Sequence, residues 1–445
     1  MKTDWTRRQV IKAGVALAGS GLLQPLLPLV AAGKDISAAF PEEVLSIEKY
    51  TKGKVKPGMI INKDNVELIR DISPEGLVEI IRHGQEIKIG ETTLNPRAVN
   101  PDFWVEATLR NQGKGALDAK GQLWTKDGKL WIGGSPFPEA KTGLEALWNY
   151  VVNHRRYDDL MVASKVVNIG SNGSVLQTQY AIYGEIQTVG RLVVTPKPDN
   201  PSYKNELHRT LLSLNSPFDL YGLAVSTVVY YNASEMPDTF VYVPALRRVR
   251  RVSSTDRFSP AAPFATYFTS DLDLQNDPLL TWDWKLVGRK PMLGPSPVNR
   301  GAYITASKDD FTFPDYPVKY PRSTWELRPD MFLVDGAPRI YGASYSKKRM
   351  YVDAVYYRAQ MSECWDKANK LWKFFTFITG DTGVTDHAGG TAKDLTGILF
   401  ADVQRDAVSN VFFYRHLGQM TFRVNVGATI DDWMTPDALL RHARR

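Results

Sequence analysis

FVYVPALRRVRRV (240–252), a Pro/Ala/Phe-rich link, TSDLDLQNDPLL (269–280) and TWDWKLVGRK (281–290) decide the fold between them. Val241 and Val243 fall on one face of an extended segment and Phe240 and Tyr242 on the other, the period of two that marks a β-strand. Pro244 and Ala245 interrupt it, which places a turn or a sheet edge there. Arg247, Arg248, Arg250 and Arg251 follow. In an extended arm Arg248 and Arg250 share one face, and Arg247 and Arg251 the other. These arginines read in two ways: as ion-pair partners of Asp271, Asp273 and Asp277 downstream, or as a cationic site beside an apolar sheet that suits an anionic or amphipathic partner. Trp282 and Trp284 share a face of the next strand, with Tyr242 as the expected neighbour.

The same period recurs outward from this stretch. Strands are expected at 162–169, 177–189, 191–195, 213–214, 224–231, 324–334, 348–357 and 371–377, many divided by turn clusters such as Gly170-Ser171-Asn172-Gly173. Alternation as in Tyr351-Val352-Asp353-Ala354-Val355-Tyr356 implies one covered and one wetter face, so the sheet is expected to be antiparallel. Helical spacing appears at 65–83, with a restart at Ser73-Pro74-Glu75, and most clearly at 141–156. There Leu144, Leu147, Trp148 and Val151 form one apolar stripe, and cationic residues gather where the helix dipole favours them. His154 is expected in that last turn as a cap or surface group. Residues 402–414 read as helix or strand, and 436–445 as a basic helix. The class is therefore α+β, mainly β.

Composition sets the outer bounds. Of 445 residues, 43% are hydrophobic and 11% aromatic, enough to bury a sizeable core. The net charge of +7 is partly an N-terminal matter, since Lys2, Arg7, Arg8 and Lys12 precede residue 33 against Asp4 alone. The remainder is a mild balance that does not call for nucleic acid. Thr6-Arg7-Arg8-Gln9-Val10-Ile11-Lys12 resembles a twin-arginine export signal, followed by a short apolar run and small residues at Ala31-Ala32. Residues 1–32 are expected to be removed, with Ala39 as a second cleavage point. That places the mature chain in the periplasm. Cys364 is the one cysteine, which excludes an internal disulfide and a CxxC site. It lies far from the N-terminus, so a lipoprotein is not expected.

The sequence contains no G-x-S-x-G elbow, no H-E-x-x-H and no nucleotide-binding glycine loop, and its six histidines follow no ligand spacing. No catalytic residue, metal site or cofactor is expected.

Three stretches carry a resemblance: GGSPFPEAKTGLEALWNYVVNHRRY (133–157), the arginine and tryptophan segments quoted above, and WELRPDMFLVDG with YSKKRMYVDAVYYR and WDKANKLWK (325–373). They resemble the DUF1329 family of exported proteins, which is similar in turn to the LolA/LolB-type lipoprotein carriers. The resemblance implies a large antiparallel, incomplete (half) β-barrel wrapped over a few helices, occupying 60–420 as a single domain, with 33–59 as an extension and 421–445 as a tail. It also implies a role in moving or holding a lipid or other hydrophobic molecule alongside an outer-membrane barrel protein or an RND-type exporter. Large apolar side chains on the open side of such a sheet would line a cavity. Tyr242, Trp282 and Trp284 are expected there, with Arg247, Arg248, Arg250 and Arg251 at its rim holding an anionic head or touching a membrane. Two alternatives remain open: an accessory or scaffold of an outer-membrane transporter with the sheet filled by its own side chains, and an exported hydrolase of hydrophobic esters.

Overall fold

The computed structural model describes residues 26–31, 36–152, 154–253, 257–298, 318–387, 389–414, 416–417 and 420–442. The twin-arginine stretch lies outside the described residues. Strands β1 (Ile60–Ile61) and β2 (Ile87–Ile89) come first, and then a small separate hairpin, β3 (Gly115–Leu117) with β4 (Leu123–Thr125). The long strands follow: β5 (Asp159–Ile169), β6 (Val175–Gln187), β7 (Glu206–Ser216), β8 (Ala224–Tyr230), β9 (Asp238–Val243) and β10 (Arg248–Val252). The series continues with β11 (Trp282–Pro295), β12 (Ser323–Pro338), β13 (Lys347–Asp353), β14 (Arg358–Trp365), β15 (Leu371–Thr385), β16 (Thr391–Asp402) and β17 (Ala407–Tyr414).

All but β3 and β4 join one open sheet, ordered β1-β2-β12-β13-β14-β15-β16-β17-β5-β6-β7-β8-β9-β10, with β11 paired to β12. Every pairing is antiparallel except β2 with β12. Several ladders between consecutive strands follow from short turns, as from β5 to β6, β13 to β14 and β16 to β17, whereas β17 returns to pair with β5, joining the C-terminal half of the sheet to the N-terminal half. The sheet does not close into a barrel.

Strand alternation sorts the core into two layers. Phe375, Phe377, Ile398, Phe400, Val411 and Phe413 point to the inner face, where they meet the helix Gly143–Val151 through Leu147, Trp148 and Tyr150. Phe374, Ile378, Leu399 and Phe412 point to the outer face, beneath the helix Glu75–Arg82 with Leu77, Ile80 and Ile81. The expectation of one wetter face is thus corrected for β12 to β17: both faces are covered, because a helix and its flanking chain pack on each side. Gly76 permits the outer contact. A Cβ there would lie 2.4 Å from Phe374 Cβ, and the Gly76 amide donates to Glu363 at 2.7 Å. Gly76→Val is expected to lower the unfolding free energy by about 1–3 kcal/mol through overpacking, read as a lower midpoint in a urea titration; an unchanged midpoint would mean that the helix does not sit this close.

The helix expected at 141–156 starts as predicted and stops early. Thr142 caps it, accepting from the Glu145 amide at 3.2 Å while Glu145 accepts from the Thr142 amide at 3.0 Å, a complete capping box. It ends at Val151 because Val152 is extended, and Arg156 then takes a left-handed φ of 70°. This turns His154-Arg155-Arg156 into the interior. Residues 191–195 form no strand; Arg191 instead gathers the carbonyls of Gln187, Val194 and Pro196 around its guanidinium. The C-terminal residues set apart as a tail pair with β5 through Arg423–Val424, and two short helices, Ile430–Trp433 and Pro436–His442, cover the outer face of β5 to β9.

Candidate ligand-binding cavity

A cavity of about 310 Å³ lies between the inner face of β5 to β10, β16 and β17 and the chain from Arg257 to Asn276. Two cross-strand rows make its floor. Tyr183, Leu212, Val225 and Val241 lie in register on β6 to β9, and the row ends at Arg250 on the edge strand β10. Beside it Thr210, Thr227 and Thr239 line the floor and end at Val252, with Glu185 in register at the β6 end of the row but outside the lining. From β6 to β10 each row crosses four strand spacings, roughly 19 Å. Ile398, Phe400, Val411 and Phe413 form the wall from β16 and β17.

The covering chain is the Pro/Ala/Phe-rich link, and it is pinned at both ends. The Thr266 amide donates to Ser409 at 3.0 Å, its hydroxyl donates to the Phe400 carbonyl at 2.7 Å, and the Tyr267 ring stacks on Phe400 at 4.2 Å. Farther along, Asp271 meets Lys348 at 3.1 Å and accepts from Tyr345 at 2.6 Å. Asp277 pairs with Arg257 and accepts from the Trp282 indole at 3.1 Å. Asp273 lies 3.5 Å from His154. Each acid thus has a partner other than the four arginines, which corrects the ion-pairing expectation. These buried pairs fix where the cover sits.

Arg257, paired with Asp277, lines the cavity from the cover, and other charged side chains reach it at the β6 end. Arg155, only 2% exposed, lines the cavity there with Asp273. Its guanidinium lies 5.2 Å from the Tyr183 ring and 5.4 Å from that of Phe413. Behind it His154 faces Glu185 at 3.4 Å and Asp273 at 3.5 Å. Burial works against a charged His154, but the two carboxylates more than offset it and raise its pKa. Burial also pushes the Glu185 carboxyl up, against the pull of His154 and Arg155, whereas these two cations hold Asp273 below its ordinary value despite burial.

His208, 5.7 Å from the His154 ring, is driven by burial and then by His154 from 6.5 down to about 3. The unfolded chain takes up that proton below about pH 6.5, and the folded chain refuses it until about pH 3, so stability falls as pH drops through this window. His154, Asp273 and Glu185 surround the site, and the raised pKa of His154 works in the opposite direction. A His208→Gln variant is expected to show a flatter acid arm between pH 6.5 and 3 in melting-temperature scans; parallel arms for the two proteins would contradict this.

The family model described as "Protein of unknown function (DUF1329)" matches residues 60–440. The chain belongs to the DUF1329 family. Among solved structures, this DUF1329 chain is similar to a DUF1329 family protein from Desulfovibrio piger (16% identity, 66% of this chain and 95% of that one, TM-score 0.44). It is also similar to a putative outer membrane lipoprotein-sorting protein domain from Vibrio parahaemolyticus (15%, 64% and 92%, 0.43). A third is a LolA superfamily protein from Nitrosomonas europaea (14%, 67% and 99%, 0.38). No curated protein matches it.

In this DUF1329 fold the seven residues singled out from sequence separate into four places. Tyr242 lies on the outer face, packed with Met434 and Leu439 of the C-terminal chain, while its neighbour Val241 faces the cavity. Trp282 and Trp284 stack on each other at 5.6 Å in the inner core, where Trp284 donates to the Leu279 carbonyl at 2.7 Å; neither lines the cavity. Arg251 shares the outer face and pairs with Asp238. Arg248 and Arg250 share the inner face with Val241 and Val243, and Arg247 caps the turn Pro244–Leu246 with φ 50°. Among the described residues, Arg247, Arg248 and Arg250 make no ion pair. The lining that sequence reasoning passed over is Arg155, Tyr183, Leu212, Val225 and Phe413. The signal available for it was the alternation of 210–214 and 223–227, whose inward set could not be told from its outward set without a partner strand.

Proposed function

We propose that this DUF1329 protein is a carrier or binding protein for a lipid-like or other hydrophobic molecule. It is exported to the periplasm by the twin-arginine route and works with an outer-membrane barrel protein or an RND-type exporter. One observation carries this reading: the inner face of the sheet is not filled by its own side chains but leaves a cavity of about 310 Å³ floored by Leu212, Val225 and Val241. That volume falls at the small end of ligand pockets, about 300–1,000 Å³. Each methylene buried there contributes about 0.8 kcal/mol, so a twelve-carbon chain binds without specific chemistry. The mature protein is expected to show a native-mass-spectrometry adduct and saturable binding of a fluorescent fatty-acid probe; absence of both would end the carrier reading.

The rim arginines belong to the same reading as a membrane contact. Gly222 packs against Pro244, so the β7–β8 and β9–β10 turns lie side by side. Together they present Phe218 at 92% exposure, Tyr221 at 62% and Leu246 at 44%, next to Arg247, Arg248 and Arg250. Exposed aromatics beside unpaired cations complement an anionic bilayer surface, where each cation contributes about 1 kcal/mol. Reversing Arg247, Arg248 and Arg250 to glutamate is expected to stop co-sedimentation with phosphatidylglycerol vesicles; undiminished binding would place the membrane contact elsewhere.

A further inference from the structure

We propose that the cavity is a head-inward site for a single-chain amphiphile with a carboxylate-type anionic head, the head lying against Arg155 and the tail running along β6 to β9 towards the β10 edge. This rests on the carrier reading above and gives it a ligand class and an orientation. Three features support it. Arg155 lines the cavity while almost fully buried, and its shielded Nε and Nη2 donors have no hydrogen-bond partner, Nη2 lying 3.6 Å from Asp394. A buried guanidinium left this way is costly, and a carboxylate accepting from it would complete its shell.

The second feature is the loose pairing of the buried cations. Arg155 and Arg358 share one carboxylate, Asp394, at 3.6 and 3.8 Å, distances too long for hydrogen bonds. Arg156 lies behind, stacked 3.9 Å from Trp104 and donating to the Tyr357 carbonyl at 2.6 Å, to Asn100 at 3.0 Å and to the Asn149 carbonyl at 3.5 Å. Asp273 is balanced by His154. Glu185 accepts from Tyr183 at 2.8 Å and faces His154 at 3.4 Å. A carboxylate at this end would therefore meet a guanidinium that no neighbouring carboxylate reaches at hydrogen-bond distance.

The third feature is the gradient along the floor. The row from Tyr183 through Leu212, Val225 and Val241 is apolar past its first member. The threonine row beside it satisfies itself in part, Thr227 and Thr239 lying 3.3 Å apart. A tail therefore finds apolar floor leading away from Arg155, and its far end emerges by Arg250.

The test compares dodecanoate, 1-dodecanol and dodecyltrimethylammonium by calorimetric titration of the mature chain. Dodecanoate is expected to bind at least about tenfold tighter than the alcohol, with the ammonium weakest, as a charge-assisted hydrogen bond requires. Arg155→Met is expected to erase that preference while the alcohol still binds. The wild-type preference is readable even if the variant does not fold. If all three bind alike, the inference falls and the carrier reading stands. A preference that survives Arg155→Met but disappears in Arg248→Glu/Arg250→Glu puts the head at the rim and overturns it. If none binds, both fall.

Discussion

Leu212→Trp is expected to abolish binding of a twelve-carbon probe, with a loss of about 100-fold or more, or roughly 2.7 kcal/mol. Leu212 sits in the middle of the floor, between Tyr183 and Val225 in register, and its side chain points into the cavity. An indole there occupies the space a ligand tail needs. The fold should survive, because the added volume enters a void rather than a packed core. Leu176→Trp, at an exposed position on β6, serves as the control and is expected to bind the probe normally. Equal affinities for the two variants would show that the ligand lies somewhere other than this hollow.

Arg328→Met is expected to destabilise the protein by about 3–5 kcal/mol without touching the cavity. Arg328 is fully buried on β12, 2.6 Å from Asp353 and 2.5 Å from Glu326, with its guanidinium 3.8 Å from the Tyr356 ring. Tyr356 donates to Glu326 and to the Thr93 carbonyl in the same cluster. Removing the cation strands two buried carboxylates, and desolvation of each then goes uncompensated. Neutralising them as well, with Glu326→Gln and Asp353→Asn, should recover part of the loss. Urea midpoints for the single and triple variants decide the matter, and a triple variant less stable than the single one would contradict this account.

Most of the sheet was legible because β-strands announce themselves locally. The alternation at 240–243 put Val241 and Tyr242 on opposite faces, and the structure keeps them there. Which face looks into a cavity is a property of partner strands, so Tyr242 was expected inside although the C-terminal chain covers it. Strand β16 gave no clear signal: its residues from Leu395 to Asp402 are buried on both faces, which removes the alternation that reveals a strand. The pairing of β17 with β5 is equally silent, since nothing in either segment specifies a partner more than two hundred residues away. The cavity's polar end depended on the turn after the helix Gly143–Val151. A left-handed Arg156 is uncommon for a residue with a side chain, so the cationic triplet read as a solvated helix end rather than a buried one. The acidic segment misled for a related reason. Its partners Lys348, Tyr345 and His154 are brought to it only by the folded sheet.

The most direct test of the central claim is a crystal structure of the mature chain with 12-bromododecanoate, read from the anomalous signal of bromine. A bromine peak beside Val241 and Val252, with the chain's density continuous to Arg155, is the predicted result. A peak confined to the outer face, or none in a crystal whose protein binds the acid in solution, would show that the hollow is not where the ligand is carried.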